Sequence, residues 1–217
     1  MESAAALIQL DPLIVWTRVN WAQIFGNRNP IRVEVGFGNG SFLVAMAQRD
    51  PASNFLGIEI YSRGMRRALR RIERAGLNNV RLLRAEASAA LPRLFGPEEV
   101  GEVYINFPDP WPKKRHWKRR LIKPSFVETL YRVLEGGGRV HLATDHFDYA
   151  QEMLASFEGQ DGFLNLAGEK AFLTHPPEER LPTKYEQEFL REGKTIFYLV
   201  FQKVVLGGAG LAQISKL

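Results

Sequence analysis

Residues 34–42, EVGFGNGSF, decide how this chain folds. They close a strand-like run at 31–35 (IRVEV) and open a helix-like stretch at 41–49. Gly36, Gly38 and Gly40 stand between the two at two-residue spacing. Glycine tolerates the conformations that a tight strand-to-helix turn demands, and it lets a ligand approach the backbone. The spacing is G-x-G-x-G, with Ser41 where a dinucleotide fold would set its third glycine. The turn carries no Gly-Lys-Ser/Thr, so it is not a P-loop. A glycine turn alone also serves simple packing.

The alternation continues outward from this turn. Strand-like runs at 54–60, 79–84, 102–107 and 138–143 are separated by helix-like stretches at 63–75, 87–94, 124–134 and 146–158. Strand and helix in repeated succession predict a parallel sheet with helices on both faces and right-handed crossovers. Two further runs, 163–167 and 195–202, show no helical pattern between them and are expected as an antiparallel edge pair. Gly136, Gly137 and Gly138 are expected to stop a helix before the fifth strand. The expectation is a seven-stranded, mostly parallel α/β sheet in a single domain over 1–217. Residues 1–20 read as an N-terminal extension, and the glycine-rich 204–217 as a flexible tail.

Acids raise the turn above a packing device. Glu34 precedes it, Glu59 ends the second strand, Glu86 follows the third, Asp109 the fourth and Asp145 the fifth. In open α/β sheets, ligands bind outside the carboxyl ends of the strands. Glu34 would repel a pyrophosphate and suit a cation. Glu59, about 20 residues past the turn, could accept from both ribose hydroxyls. A nucleoside with a positive charge and a free amino group matches this set, and S-adenosylmethionine is such a molecule. The four histidines show no metal-ligand spacing, so no metal is expected, and no G-x-S-x-G elbow occurs. His141, within a strand, is expected as a hydrogen-bonded core residue.

Charge is concentrated. The stretch 105–120, INFPDPWPKKRHWKRR, sets Asp109 between two prolines and then turns basic. Residues 113–123 hold seven Lys or Arg and no acid, and the rest of the chain has 22 basic against 24 acidic residues. The net charge of +5 therefore resides largely in one segment, the footprint of a polyanion-binding surface. In the helix-like stretch 63–75, Arg63, Arg66, Arg67, Arg70, Arg71 and Arg74 share one face, with Met65, Leu69 and Ile72 opposite. That face reads either as solubilising or as a secondary phosphate-contacting surface.

The whole chain narrows the classes further. A length of 217 residues allows about 70% of the unfolded surface to be buried. The absence of cysteine excludes disulfides, thiolate zinc and a cysteine nucleophile. No run of 18 apolar residues exists to span a membrane. The first residues carry Glu2 and Asp11 and do not read as a signal peptide, so the cytoplasm is the expected compartment.

Five stretches resemble the bacterial tRNA (guanine-N7-)-methyltransferase family of the TrmB type. They are WAQIFGNRNPIRVEVGFGNG at 21–40, FLGIEI at 55–60, FPDPWPKKRHWKRR at 107–120, ATDHFDYA at 143–150 and LPTKYEQ at 181–187. The resemblance implies a class I Rossmann-like methyltransferase fold and methyl transfer from S-adenosylmethionine to N7 of guanine 46 in the tRNA variable loop. It implies cofactor contacts from the glycine turn, Glu34, Glu59, Glu86 and Asp109, with Asp109 also catalytic. Lys113, Asp145, Thr183, Lys184, Tyr185 and Glu186 would face the substrate. Arg115, His116, Trp117, Lys118, Arg119 and Arg120 would contact RNA. Family members commonly carry Asp where this chain has Glu86. A monomer or homodimer is expected.

Guanine N7 has a lone pair and no proton, so its methylation needs no general base. In-line positioning and a fixed negative charge near the developing cation suffice. Pro108 and Pro110 restrict the backbone on both sides of Asp109 and can hold its carboxylate in place. Trp111 suits either stacking on a base or anchoring the turn. Two alternatives stay open at this level. One is an exocyclic-amine methyltransferase, which uses a related Asn/Asp-Pro-Pro-aromatic turn. The other is a non-enzymatic RNA-binding module with a vestigial nucleotide site.

Overall fold

The structure is a computed structural model and describes residues 8–16, 19–173, 175–178 and 180–205. In chain order the strands are β1 (Gln9–Leu10), β2 (Ile31–Val35), β3 (Asn54–Glu59), β4 (Val80–Arg84), β5 (Val100–Asn106), β6 (Leu134–Thr144), β7 (Phe163–Asn165) and β8 (Phe197–Lys203). The α-helices are α1 (Trp21–Phe25), α2 (Ser41–Arg49), α3 (Ser62–Ala75), α4 (Ala87–Leu94), α5 (Pro124–Val133), α6 (Phe147–Glu158) and α7 (Lys184–Arg191). Two 3-10 helices cover Pro12–Trp16 and Lys114–Arg119.

The strands form one sheet in the order β1-β4-β3-β2-β5-β6-β8-β7. β1 through β6 pair in parallel, and β8 pairs antiparallel with both β6 and β7. Chain order reverses at β2, which lies between β3 and β5. A crevice opens at such a reversal, outside the carboxyl ends of the strands. Val35 is level with Ile58 on one side and Ile105 on the other, so the glycine turn leaves the sheet at that crevice.

Strand periodicity sorts the core into two layers. Val33, Leu56, Ile58, Leu83, Val103 and Leu142 pack beneath α4, α5 and α6, while Phe55, Val80, Leu82 and Tyr104 pack beneath α2 and α3. Each such side chain contributes about 1.5–3 kcal/mol when fully buried. The parallel sheet with helices on both faces and the antiparallel edge pair are as expected from sequence. An eighth strand is added: β1, from the N-terminal extension, pairs with β4 at the far edge, and Ile8 enters the core.

Three expectations are corrected. A helix, α7, does lie between the edge strands β7 and β8. Its inward face carries Glu186 rather than an apolar stripe, so hydrophobic period does not reveal it. Gly136–Gly138 do not stop a helix but lie within β6, where pairing with β5 shifts between Val100 and Glu102. A Cβ on Gly138 would meet the Gly101 carbonyl oxygen at 2.8 Å, so the bulge requires glycine. His141 is buried and stacked 4.7 Å from Tyr104, but neither ring nitrogen has a hydrogen-bond partner among the described residues. Burial holds its pKa down at about 3, so the ring is neutral. The tail expected at 204–217 falls almost wholly outside the described residues.

α3 buries Met65, Ala68 and Ile72 and leaves all six arginines exposed. Arg63 faces Arg66 and Arg67, Arg66 faces Arg70, Arg67 faces Arg70 and Arg71, and Arg70 and Arg71 both face Arg74. Like charges three or four residues apart each cost a helix about 0.2–0.5 kcal/mol. The stripe therefore works against the helix that carries it.

Candidate active site

The crevice holds a cleft of about 530 Å3. Val35 and Gly36 of the glycine turn, Glu59 to Tyr61, Ala85 to Ser88, and Asn106 to Asp109 line its sheet side. Trp111, Lys118, Arg119, Arg120, Lys123 and Phe126 are also in its lining. Acid and base thus meet in one depression, with apolar Ile58, Ala87 and Phe126 among them.

The glycine turn has a physical need for each glycine. Gly36, Gly38 and Gly40 take φ of 72°, 55° and 75°, the left-handed region. A Cβ on Gly40 would meet the Ala68 Cβ at 2.5 Å, so that glycine lets α2 pack against α3. A Cβ on Gly36 would meet no protein atom within 4 Å, although Gly36 lines the cleft. Its bare face is room for a ligand. Gly38 and Gly40 support the turn without lining the cleft.

Glu59 organises this turn. Its Oε2 accepts from the Gly38 amide at 2.9 Å, and its Oε1 accepts from the amides of Ile60 and Tyr61 at 2.8 and 3.0 Å. A carboxylate offers about four lone-pair sites. About one remains for a ligand, where the sequence predicts two ribose hydrogen bonds. Glu86, at the N-cap position of α4, is exposed in the cleft wall and accepts from the Ser88 hydroxyl.

Glu34 is fully buried and does not line the cleft. Asn106 Nδ2 donates to its Oε1 at 3.3 Å, while Oε2 has no partner among the described residues. Burial pushes its carboxyl up to about 8, against the opposing Asn106 hydrogen bond. A carboxylate in that state is stabilised by any cation brought near it. An orphaned buried acid, the bare face of Gly36 and three acids on the cleft wall fit a positively charged nucleoside such as S-adenosylmethionine.

Asp109 projects exposed into the cleft between two strained residues. Phe107 and Trp111 have φ of 50° and 43°. Left-handed backbone costs a non-glycine residue about 1–2 kcal/mol. Surrounding contacts hold it. The Phe107 amide donates to the Ala143 carbonyl at 2.8 Å, and its ring meets Phe189 edge-on at 5.5 Å. Trp111 lies beneath the Arg119 guanidinium at 4.8 Å and meets His116 edge-on. Trp111 thus anchors the turn from the cleft wall.

The basic segment divides. Lys113, Arg115, Trp117, Lys118 and Arg119 are exposed, and His116 is half-buried. Arg120, expected among the RNA contacts, is 2% exposed and held by protein partners. It pairs with Glu152, donates to the Pro110 carbonyl at 2.7 Å, and stacks between Trp117 and Tyr149. The residue therefore ties the Pro-Asp-Pro-Trp turn to α6.

The expected substrate face at 183–186 also divides. Lys184 and Tyr185 are exposed. Thr183 and Glu186 are buried and form a reciprocal capping box at the start of α7. Glu186 further accepts from the Tyr198 hydroxyl at 2.8 Å and pairs with Arg180 at 2.8 Å. Arg180 donates in turn to Asn106 Oδ1 at 2.7 Å. Asn106 and Arg180, unassigned from sequence, thus link Glu34 to α7. Asp145 stands outside the cleft, 3.8 Å from Lys194. T-x-x-E at 183–186 is a capping signal legible in the sequence; nothing there marks Arg180.

Residues 28–199 match the family model described as "Putative methyltransferase". A tRNA (guanine-N(7)-)-methyltransferase of Thermotoga maritima is 41% identical over 189 residues, 87% of this chain and 59% of the relative. This chain thus spans less than two thirds of that relative's length. The protein of the same name from Geobacter metallireducens is 35% identical, over 92% of this chain and 94% of the relative. Among solved structures, the 16S rRNA methyltransferase KamB superposes with a TM-score of 0.60 at 16% identity, covering 86% of this chain and 94% of KamB. The antibiotic-resistance methyltransferase Kmr gives 0.59 at 16% identity, covering 88% and 96%. These last two show the fold.

Proposed function

The chain belongs to the TrmB-type tRNA (guanine-N7-)-methyltransferase family, and from that premise we propose that it methylates N7 of guanine 46 in the tRNA variable loop. The observation that carries this reading is the cleft itself, where Glu59, Glu86 and Asp109 share one lining with Lys118 and Arg119 at the topological switch point. Its acids suit a cationic nucleoside, and its bases suit a phosphate backbone.

S-adenosylmethionine, when bound, supplies an electrophilic methyl group. The chain's own residues do the rest. Gly36 leaves room for the ligand, Glu59 offers its remaining acceptor site, and Glu86 adds an exposed carboxylate to the cleft lining. Glu34 sets a buried negative charge behind the turn once a cation draws off its proton. Asp109, held by the strained turn, faces the positive charge that develops on guanine. No proton has to be removed from N7, so Asp109 serves by charge and position. Lys118 and Arg119 neutralise phosphates at the cleft mouth.

Incubation with bulk tRNA and methyl-labelled S-adenosylmethionine, followed by nucleoside analysis and mapping, tests the proposal. The expected product is 7-methylguanosine at position 46. Label on an exocyclic amine, or cofactor binding without transfer to any tRNA, would overturn it.

A further inference from the structure

We propose that the arginine face of α3 is a second tRNA-binding surface, gripping backbone phosphates of the tRNA body away from the guanine in the cleft. The inference rests on the tRNA reading above and extends it to a region of the molecule that reading does not use.

The six guanidiniums are exposed, and among the described residues none makes an ion pair or hydrogen bond. Several arginines elsewhere are engaged: Arg32 pairs with Asp50 and Glu102, Arg120 with Glu152, and Arg180 with Glu186. With Glu73 its sole acid, α3 carries a net +5, equal to that of the whole chain. Outside α3 and residues 113–123, sixteen basic residues face 23 acidic ones. An RNA therefore meets two positive surfaces and a negative remainder, which orients it.

A solubilising face would mix both signs and avoid repulsion within the helix. This one bears self-repulsion at consecutive turns and uses arginine throughout, without a lysine. Arginine is the cation that meets phosphate through two parallel hydrogen bonds. Position agrees with this. Tyr61, at the N-cap of α3, lines the cleft that Lys118 and Arg119 also line. From that rim the stripe runs about 21 Å over 14 residues, too far for one nucleotide and suited to successive phosphates.

The test compares the wild type with a variant carrying Arg67→Ala, Arg70→Ala, Arg71→Ala and Arg74→Ala, all beyond the first turn and clear of the cleft. Binding is measured across salt concentrations to full-length tRNA and to a short hairpin bearing only the variable-loop guanine. For tRNA, the variant should bind about tenfold more weakly at 0.1 M salt, and its log–log salt slope should flatten by about 0.7–0.9 for each phosphate no longer neutralised. Hairpin and S-adenosylmethionine binding should match wild type. The melting temperature should hold or rise, because alanine favours the helix and the repulsion is gone. An unchanged tRNA slope would overturn the inference. So would an equal loss on the hairpin, which would assign the stripe to the cleft mouth. Loss of binding to phosphatidylserine vesicles with tRNA affinity intact would replace RNA by a membrane surface. These binding readouts stand whether or not the wild type methylates tRNA, so they fail separately from the proposed activity.

Discussion

Single side chains carry three separable effects. Asp109→Asn keeps the shape and loses the charge, so single-turnover methylation should fall by about 10²–10³. With saturating tRNA, the wild type should show no ascending limb traceable to Asp109 between about pH 6 and 8. Such a limb, absent from the Asn variant, would point to proton abstraction and hence an amino target. Glu59→Ala should cost more than ligand contacts. Calorimetry should show S-adenosylmethionine binding weakened by roughly 1.5–3 kcal/mol. Thermal melting should show a loss as well, because three backbone amides lose their acceptor. A Glu59→Ala variant that melts like wild type would mean that the turn holds itself. Glu34 makes stability depend on pH. The folded chain keeps its proton up to about pH 8, whereas an unfolded glutamate releases it near 4.3. Between those values the folded state binds more protons, so stability falls as pH rises. Glu34→Gln should remove that decline, gaining on wild type by of order 3–4 kcal/mol between pH 5 and pH 8 in urea unfolding.

At the scale of elements, the basic segment behaves as two parts. Arg120→Ala removes an ion pair with half-buried Glu152, a bond to Pro110 and two aromatic contacts, and should lower stability by about 2–3 kcal/mol. Activity should fall with it as the Asp109 turn loosens. Arg115→Ala with Arg119→Ala should lower melting only slightly, through the lost Arg119 stack on Trp111, and flatten the salt dependence of tRNA binding by about 0.7–0.9 for each phosphate released. If Arg120→Ala melted normally while its salt slope fell, the division would be reversed. Sequence does not separate these arginines, because charge runs give no burial; the partners of Arg120 come from α6 and from a turn ten residues back. α7 is hidden for a similar reason. Its inward position is a glutamate matched by Arg180 and Tyr198, so no apolar stripe marks it, although Thr183 and Glu186 spell its cap. The triglycine misleads because a helix stop and a strand bulge use the same residue; only the register of β5 against β6 tells them apart.

For the molecule as a whole, alternation of strand and helix is legible because each element buries one face and repeats its period. The acids at the strand ends are legible because the topology brings those ends together. Their detailed bonding is not, since Glu59 meets Gly38 only after two elements have packed. Sheet order carries a further consequence, for synthesis. A chain made from its N-terminus can assemble β1 through β6 from segments already in hand. β7 cannot join them, because its place is beyond β8 and it pairs with no other strand. Until residues 197–203 emerge, β6 presents an open edge, and the core lacks Leu199 and Phe201. The nascent protein is therefore an unfinished sheet awaiting a strand inserted between two that are already made, and a ribosome that stalls before residue 197 leaves an adhesive intermediate rather than a smaller enzyme.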